Sequence, residues 1–424
     1  MLTISVSLKM RHLLFLSSIL SIALLNLGFE LKTLREWKFV DFIWKNSKHR
    51  QLAIESGSYI VNACVLYDVD MAPDGRVFMT AVRNKGVPAS LMTVTKKMGE
   101  GGPLLRPYPD WSWYENNKCD GIIGVYRIYI ICNHLFVLDC GKIGDDKICP
   151  AQLLIFNLST NKLVRRAIIP DNVATNRNGT GLLVTPMVHA RHCRNIAYTA
   201  TVYMADIKGY GLVVWNAQTS KFCRFESDYM KPIDTTFTVQ NESFSFNDGI
   251  LGLTLIRKDL YYAALAGDNI YKINNWTLQK CGLNANETGE LTQMAGTLTG
   301  QTAPIASKDC AIFFSNIPQT SIMCADTSDE INPNTMEIIA DDAEKLQFSS
   351  GMKVITHRKS YSYLYILTNR FHTVTTATLD PNETNIRIFS IDLEEVKKYT
   401  SCFASCNYEL ESSISWYRDV IYNE

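Results

Sequence analysis

The stretch VYRIYIICNHLFVLDCGKIGDDKICPAQLLIFNLSTNKLVRRAIIP, Val125 to Pro170, decides the fold. Arg127–Ile131 is one short apolar run, and Leu135–Leu138 follows after a turn at Asn133. Leu153–Asn157 comes next, and the polar turn Leu158–Lys162 leads into Leu163–Ile169. Each run is rich in Val, Ile, Leu, Tyr and Phe and bounded by Asn, Asp, Gly or Pro, the signature of strands joined by tight connections. Together they read as an antiparallel, four-stranded meander.

Working outward, the same figure recurs. In Ser56–Leu91 the pair Asp74-Gly75 signals a hairpin and Val77–Val82 a strand. Further copies run over Asn195–Phe225 and Asp248–Leu278, with weaker ones at Cys310–Ser328 and Gly351–Val374. One anchor per copy (Phe78, Phe136, Tyr198, Tyr261, Ile312 and Leu364) gives spacings of roughly 50 to 63 residues, the range of propeller blades with long loops. The reading is an all-β chain, a six-bladed β-propeller of four-stranded antiparallel blades, each sheet burying against its neighbours the face it cannot cover alone. The segment before Phe78 is expected to supply a strand that closes the ring on the last blade. A β-helix would need shorter, more regular repeats, and a pair of sandwiches would show a linker near the middle, where no Pro/Gly/Ser-rich stretch occurs.

Composition sets the surroundings. The 424 residues are 46% hydrophobic and 20% charged with a formal charge of +0, enough apolar content for a large core and no basic excess for nucleic acid. Lys9 and Arg11 precede the apolar run Leu13–Leu27, which reads as a secretory signal peptide over residues 1–28, cut near Gly28. The propeller is expected over 29–400 and a C-terminal tail over 401–424. An exported chain gives meaning to six N-x-[ST] sequons, at Asn157, Asn178, Asn241, Asn275, Asn286 and Asn382, as glycosylation sites. It also makes the twelve cysteines disulfide material, with Cys402 and Cys406 close enough for a local loop and some buried cysteines left free.

Few motifs carry chemistry. HExxH, GxSxG, CxxC and P-loop patterns are absent, which argues against hydrolase and nucleotide chemistry. His189, His192 and Cys193 lie close together, but Cys193 is better used in a disulfide than on a metal. Asp145-Asp146 and Asp341-Asp342 read as solvated turns, because no third ligand follows at regular spacing. No metal and no cofactor is expected. Tyr126 and Arg127 are the polar residues of the second blade nearest a central channel.

Several stretches resemble the yellow / major royal jelly protein family of insects. They are VFMTAVRNKGVPASL (Val77–Leu91), the organising stretch itself, YMADIKGYGLVVWN (Tyr203–Asn216), FSFNDGILGLTL (Phe244–Leu255), LYILTNRFH (Leu364–His372) and NETNIRIF (Asn382–Phe389). The similarity runs from about Trp37 to Cys402. It implies a secreted six-bladed propeller, in agreement with the repeat count, but no single activity. Members serve as glandular or food proteins, act in cuticle pigmentation including dopachrome conversion, or bind biogenic amines such as serotonin at one mouth of the channel. In the amine binders an Asn and an aromatic two residues on lie in the last blade, and Asn369 and Phe371 match that spacing. Ser349 and Ser350 are possible hydroxyl partners, while Phe246 and Asp248 open a neighbouring blade, where Asp248 could neutralise an amine. Equally, Asn369 could shape a turn, Phe371 belong to a core and Asp248 cap its own backbone. The sequence departs from the family at Cys140, at Ala81-Val82-Arg83 and at Tyr363-Leu364-Tyr365.

Three functions remain on this reading. The first is a secreted protein that binds a small aromatic or biogenic amine at the channel mouth, with no nucleic-acid or membrane partner. The second is a dopachrome-converting, isomerase-type enzyme, which needs one titratable group of shifted pKa in the channel. The third is a glandular, nutrient or venom protein with no dedicated ligand.

Overall fold

Leu135, Phe136, Val137 and Leu138 are all fully buried, so this strand is covered on both faces. A continuous apolar run of that kind belongs to a sheet sandwiched between two others. The computed structural model, which describes residues 29–357 and 361–406, shows how. The expected signal peptide, residues 1–28, lies outside the described residues, as does most of the tail.

Six four-stranded sheets form the blades of a propeller. Blade 1 comprises Leu66–Met71, Val77–Ala81, Leu91–Gly99 and Gly102–Pro107. Blade 2 is the organising stretch: Val125–Ile131, His134–Asp139, Gln152–Asn157 and Lys162–Ile168, each within a few residues of its expected bounds. Blade 3 holds Leu183–His189, Thr201–Asp206, Gly211–Asn216 and Lys221–Glu226, and blade 4 holds Ile250–Ile256, Asp259–Ala264, Asn269–Asn274 and Gln293–Thr297. Blade 5 holds Ile305–Lys308, Ala311–Asn316, Ser321–Asp326 and Glu337–Asp341. Blade 6 takes Phe348–Thr356, Ser362–Asn369 and Ile386–Asp392 from the end of the chain and Lys32–Trp37 from its beginning. That last pairing, antiparallel from Lys32 opposite Ser390 to Trp37 opposite Ile386, is the expected ring closure.

Apolar clusters fill the gaps between blades. Phe136, Leu153 and Ile155 of blade 2 meet Val202, Met204 and Trp215 of blade 3, and equivalent clusters join the other neighbours. Burying a side chain such as Phe136 contributes roughly 1.5–3 kcal/mol. Five of the six anchors lie in the second strand of their blade. Tyr198 does not: it sits in a short helical turn, Ile196–Thr199, largely exposed and beneath the Arg165 guanidinium. The buried aromatic of that blade's second strand is Tyr203, because the strand starts only at Thr201.

Five disulfides fasten the rim. Cys119–Cys149 lies within blade 2 and its approach, Cys132–Cys193 joins blades 2 and 3, and Cys223–Cys281 joins blades 3 and 4. Cys310–Cys406 and Cys324–Cys402 tie the chain end to blade 5. The local Cys402–Cys406 loop is therefore not formed. Phe403, buried between the two cysteines, packs on Phe313, and both cysteines are bonded to blade 5, so the structured chain runs past 400. Cys64 and Cys140 remain free and buried.

Candidate functional site

The first strand of every blade lines a central channel, and side chains two apart on a strand share a face. The channel therefore inherits every second residue of six strands. Asp68 and Asp70 come from blade 1, Arg127 and Tyr129 from blade 2, and Lys353 from blade 6. Met187, Leu251, Leu253 and Ile305, from blades 3 to 5, face them. One wall is thus charged and the other apolar, relieved only by hydroxyls such as Thr185, Thr254 and Ser307. Between them lies a cavity of about 200 Å³, room for one small molecule.

The charged wall is closely bonded. Asp68 Oδ2 accepts from the Ile128 amide at 3.1 Å and lies 3.3 Å from Lys353 Nζ, whereas Asp68 Oδ1 has no hydrogen-bond partner in the protein. Asp70 accepts from the amides of Met71 and Ile130, each at 2.8 Å. Burial pushes the Asp70 carboxyl up to about 7, against the pull of Lys353 and those two amides and with help from the neighbouring Asp68. Lys353 also sits 5.7 Å from the Tyr129 ring centroid. The Arg127 guanidinium donates to the Ser350 carbonyl and so links blade 2 to blade 6.

At the end where these first strands begin, aromatic rings converge. Phe371 stacks on Phe246 with centroids 5.3 Å apart, meets Tyr67 edge-on at 5.7 Å and lies 5.3 Å from Phe348. Tyr67 in turn meets Tyr126 at 6.2 Å. A hairpin between blades 3 and 4, Thr236–Val239 with Glu242–Ser245, roofs this mouth and extends the series through Phe244 and Phe237. Its Glu242 accepts from Thr376, just beyond the short helix Phe371–Thr375. Tyr67, Tyr126, Phe246 and Phe371 each keep part of their surface exposed, and burial raises the phenol pKa of both tyrosines, so they stay neutral.

The structure brings Ser350, Asn369, Phe371 and Phe246 together. Asn369 is buried, and its amide donates to the Leu66 carbonyl at 2.9 Å and to Ser350 Oγ at 3.1 Å, while Asn369 Oδ1 accepts from the Phe371 amide at 3.0 Å. Asn369 therefore bolts blade 6 to blade 1 and sets the turn that aims the Phe371 ring at Phe246. Asp248 is on the same side but already forms an ion pair with Lys208. Asp68, Asp70 and Lys353 escaped the sequence reading. The available signal was an alternation: two acids at i and i+2 in LYDVDM, and a lone Lys in the apolar strand GMKVI.

Comparison with known proteins sharpens the picture. The sequence model of the family described as "Major royal jelly protein" matches residues 123–402. The chain is 35% identical over 380 residues to major royal jelly protein 9 of Apis mellifera, covering 87% of this chain and 89% of that one. It is 34% identical over 395 residues to major royal jelly protein 8 of the same species, covering 89% and 94%. The chain belongs to the major royal jelly protein family. Cys193 is taken up by Cys132. Asp342 caps its own turn and pairs with Lys345 at 3.0 Å, and Asp145 and Asp146 lie exposed within a small hairpin, Lys142–Ile143 with Asp146–Lys147. Among the described residues no helix is long and apolar enough to cross a membrane. Of the six sequon asparagines, Asn178, Asn241, Asn286 and Asn382 are exposed, Asn157 is half-buried, and Asn275 is buried at the start of a short helix.

Proposed function

We propose that this royal jelly family member is an exported carrier of a small aromatic amine, held at the aromatic mouth of the channel. One arrangement carries the reading. Tyr67 and Tyr126 stand at the mouth, and Asp68, the next residue inward from Tyr67, keeps one carboxylate oxygen without a partner. Aromatic faces attract a cation, and a buried carboxylate oxygen left open is a natural acceptor for an ammonium. The ligand ring would rest against Phe246 and Phe371, and its ammonium would reach toward Asp68, since Lys208 already engages Asp248. Export is supported by the disulfides, which persist in oxidising compartments.

Calorimetric titration of the purified protein with serotonin, dopamine and histamine tests this. Saturable binding is expected for at least one amine. Phe371→Ala should weaken it about tenfold, the equivalent of roughly 1.4 kcal/mol of ring contact. Asn369→Ala should weaken it by a similar factor, because the turn that presents Phe371 is lost. No heat from any of the three amines, or unchanged affinity in both variants, defeats the reading.

A second reading has its own observation. A carboxyl held at about 7 inside the channel, beside Lys353 and Tyr129, has the pKa of a general acid–base group at neutral pH. Tautomerisation of a quinone-like substrate such as dopachrome asks for one such group. Following dopachrome decay with the same protein decides it: faster decay that disappears in Asp70→Asn supports an isomerase, and decay at the buffer rate ends that possibility.

A further inference from the structure

A second pocket lies away from the channel, on the rim of blade 1. It has a volume of about 470 Å³ and lies between the helix Ser47–Glu55, the loop from Arg83 to Pro88 and the 3₁₀ helix Trp111–Asn117. Its walls are fixed. The indoles of Trp44 and Trp111 stack at 4.9 Å, with His49 edge-on to both, and the loop is pinned where Ile60 donates to the Gly86 carbonyl at 3.0 Å and Gly144 to the Arg83 carbonyl at 2.8 Å.

Arg83 is the unusual member. Its side chain lines the pocket and is only 8% exposed, yet among the described residues no carboxylate pairs with it. Its guanidinium donates to neutral acceptors alone: Asn117 Oδ1 at 3.1 Å and the carbonyls of Val87 and Ile123, each at 3.4 Å. Five N–H groups are available to a guanidinium, so two remain. The buried carboxylate in its neighbourhood, Asp139, is saturated by the amides of Ile123, Gly124 and Gly141 and by Gln152. Exposed Lys85 lines the same pocket, and the one acid there, Glu115, is engaged by Lys45. Burial lowers the pKa of His49, which leaves its imidazole neutral at pH 7. A buried cation with spare donors and no paired carboxylate among the described residues, lining an open pocket, is the arrangement that an anion would complete.

We infer that this pocket is a binding site, separate from the channel mouth, for a small organic carboxylate. The carboxylate would bridge Arg83 and Lys85, and an aromatic or aliphatic body would lie along Val87, Pro88 and the edge of Trp111. The volume fits such a molecule, and the mixture of fixed apolar walls with one planar donor group suits it better than a bare inorganic ion.

Calorimetry on the full chain with indole-3-acetate and benzoate, each against its neutral amide, tests the site. The acids should bind saturably and the amides at least about tenfold more weakly, the cost of losing a charge-assisted pair. Lys85→Glu, on an exposed side chain that folding does not need, should weaken acid binding by about tenfold or more. Phe371→Ala, at the channel mouth, should leave it unchanged. Equal binding of acid and amide, no saturable binding of either acid, indifference to Lys85→Glu, or loss in Phe371→Ala would each overturn the assignment. Arg83→Lys gives a further check: it keeps the charge but loses the planar fork, and should weaken the acids with the fold intact by circular dichroism. Undiminished binding in folded Arg83→Lys would likewise count against the site.

Discussion

Burial holds the Asp70 carboxyl at about 7, whereas the same group in an unfolded chain titrates near 3.8. Between those values the folded protein keeps a proton that the unfolded chain has released, so the stabilisation is complete at low pH and is lost as pH rises through the window. The difference in thermal midpoint between the parent protein and Asp70→Asn should therefore shift against the parent between about pH 4 and pH 7 and level off above it. A constant difference across that range would mean the carboxyl is not held protonated. Asn369 makes a different prediction. Asn369→Ala leaves the Phe371 amide without its acceptor and the Leu66 carbonyl with only a long bond from Ser350, and should cost about 2–3 kcal/mol in denaturant unfolding. Ser350→Ala removes a hydroxyl whose bond to the Leu66 carbonyl is long, 3.5 Å, and should cost less. Legibility at this scale was uneven for a physical reason. Asn369 and Phe371 stood out through a short motif, because the turn they build is local. Asp68, Asp70 and Lys353 look like solvent-facing residues of half-exposed strands, and only ring closure buries them against one another.

Strands and hairpins follow the same rule. Those buried on both faces, such as His134–Asp139, spell themselves out as apolar runs and were readable to within a residue or two. The roof hairpin Thr236–Ser245 was missed. Phe237, Val239 and Phe244 alternate as they should, but its turn is built on Gln240 and Asn241 in the left-handed region, without the glycine that usually announces such a turn. The closing strand Lys32–Trp37 carries a prediction of its own. Trp37 is fully buried and donates from Nε1 to the Pro103 carbonyl at 2.7 Å, so Trp37→Ala should destabilise the propeller by about 3–5 kcal/mol in equilibrium unfolding. At the other end, Cys402→Ser should cost about 2–4 kcal/mol, because the Cys324–Cys402 bridge closes a loop with a sequence separation of 78. A cost near zero would indicate that the remaining Cys310–Cys406 bridge, helix Leu393–Tyr399 and the buried Phe403 together hold the chain end in place.

Across the whole molecule the two walls of the channel set what can enter. An apolar half formed by blades 3 to 5 and a charged half formed by blades 6, 1 and 2 favour a molecule that is itself two-sided, one reason an arylalkyl amine suits the mouth better than a sugar or a lipid. Chelators should leave the thermal midpoint where it is, since no group of three or more His, Cys, Asp or Glu gathers among the described residues. Because the ring is completed by partners such as Glu36 and Arg387, 351 positions apart, a ribosome must deliver almost the whole message before the circle can shut. Until then the nascent polypeptide is a crescent with the apolar face of a blade uncovered at each horn, open to association with another copy of itself. A premature stop anywhere ahead of Ile386 would leave that crescent permanently open, and such a product is expected to aggregate instead of folding as a shorter propeller.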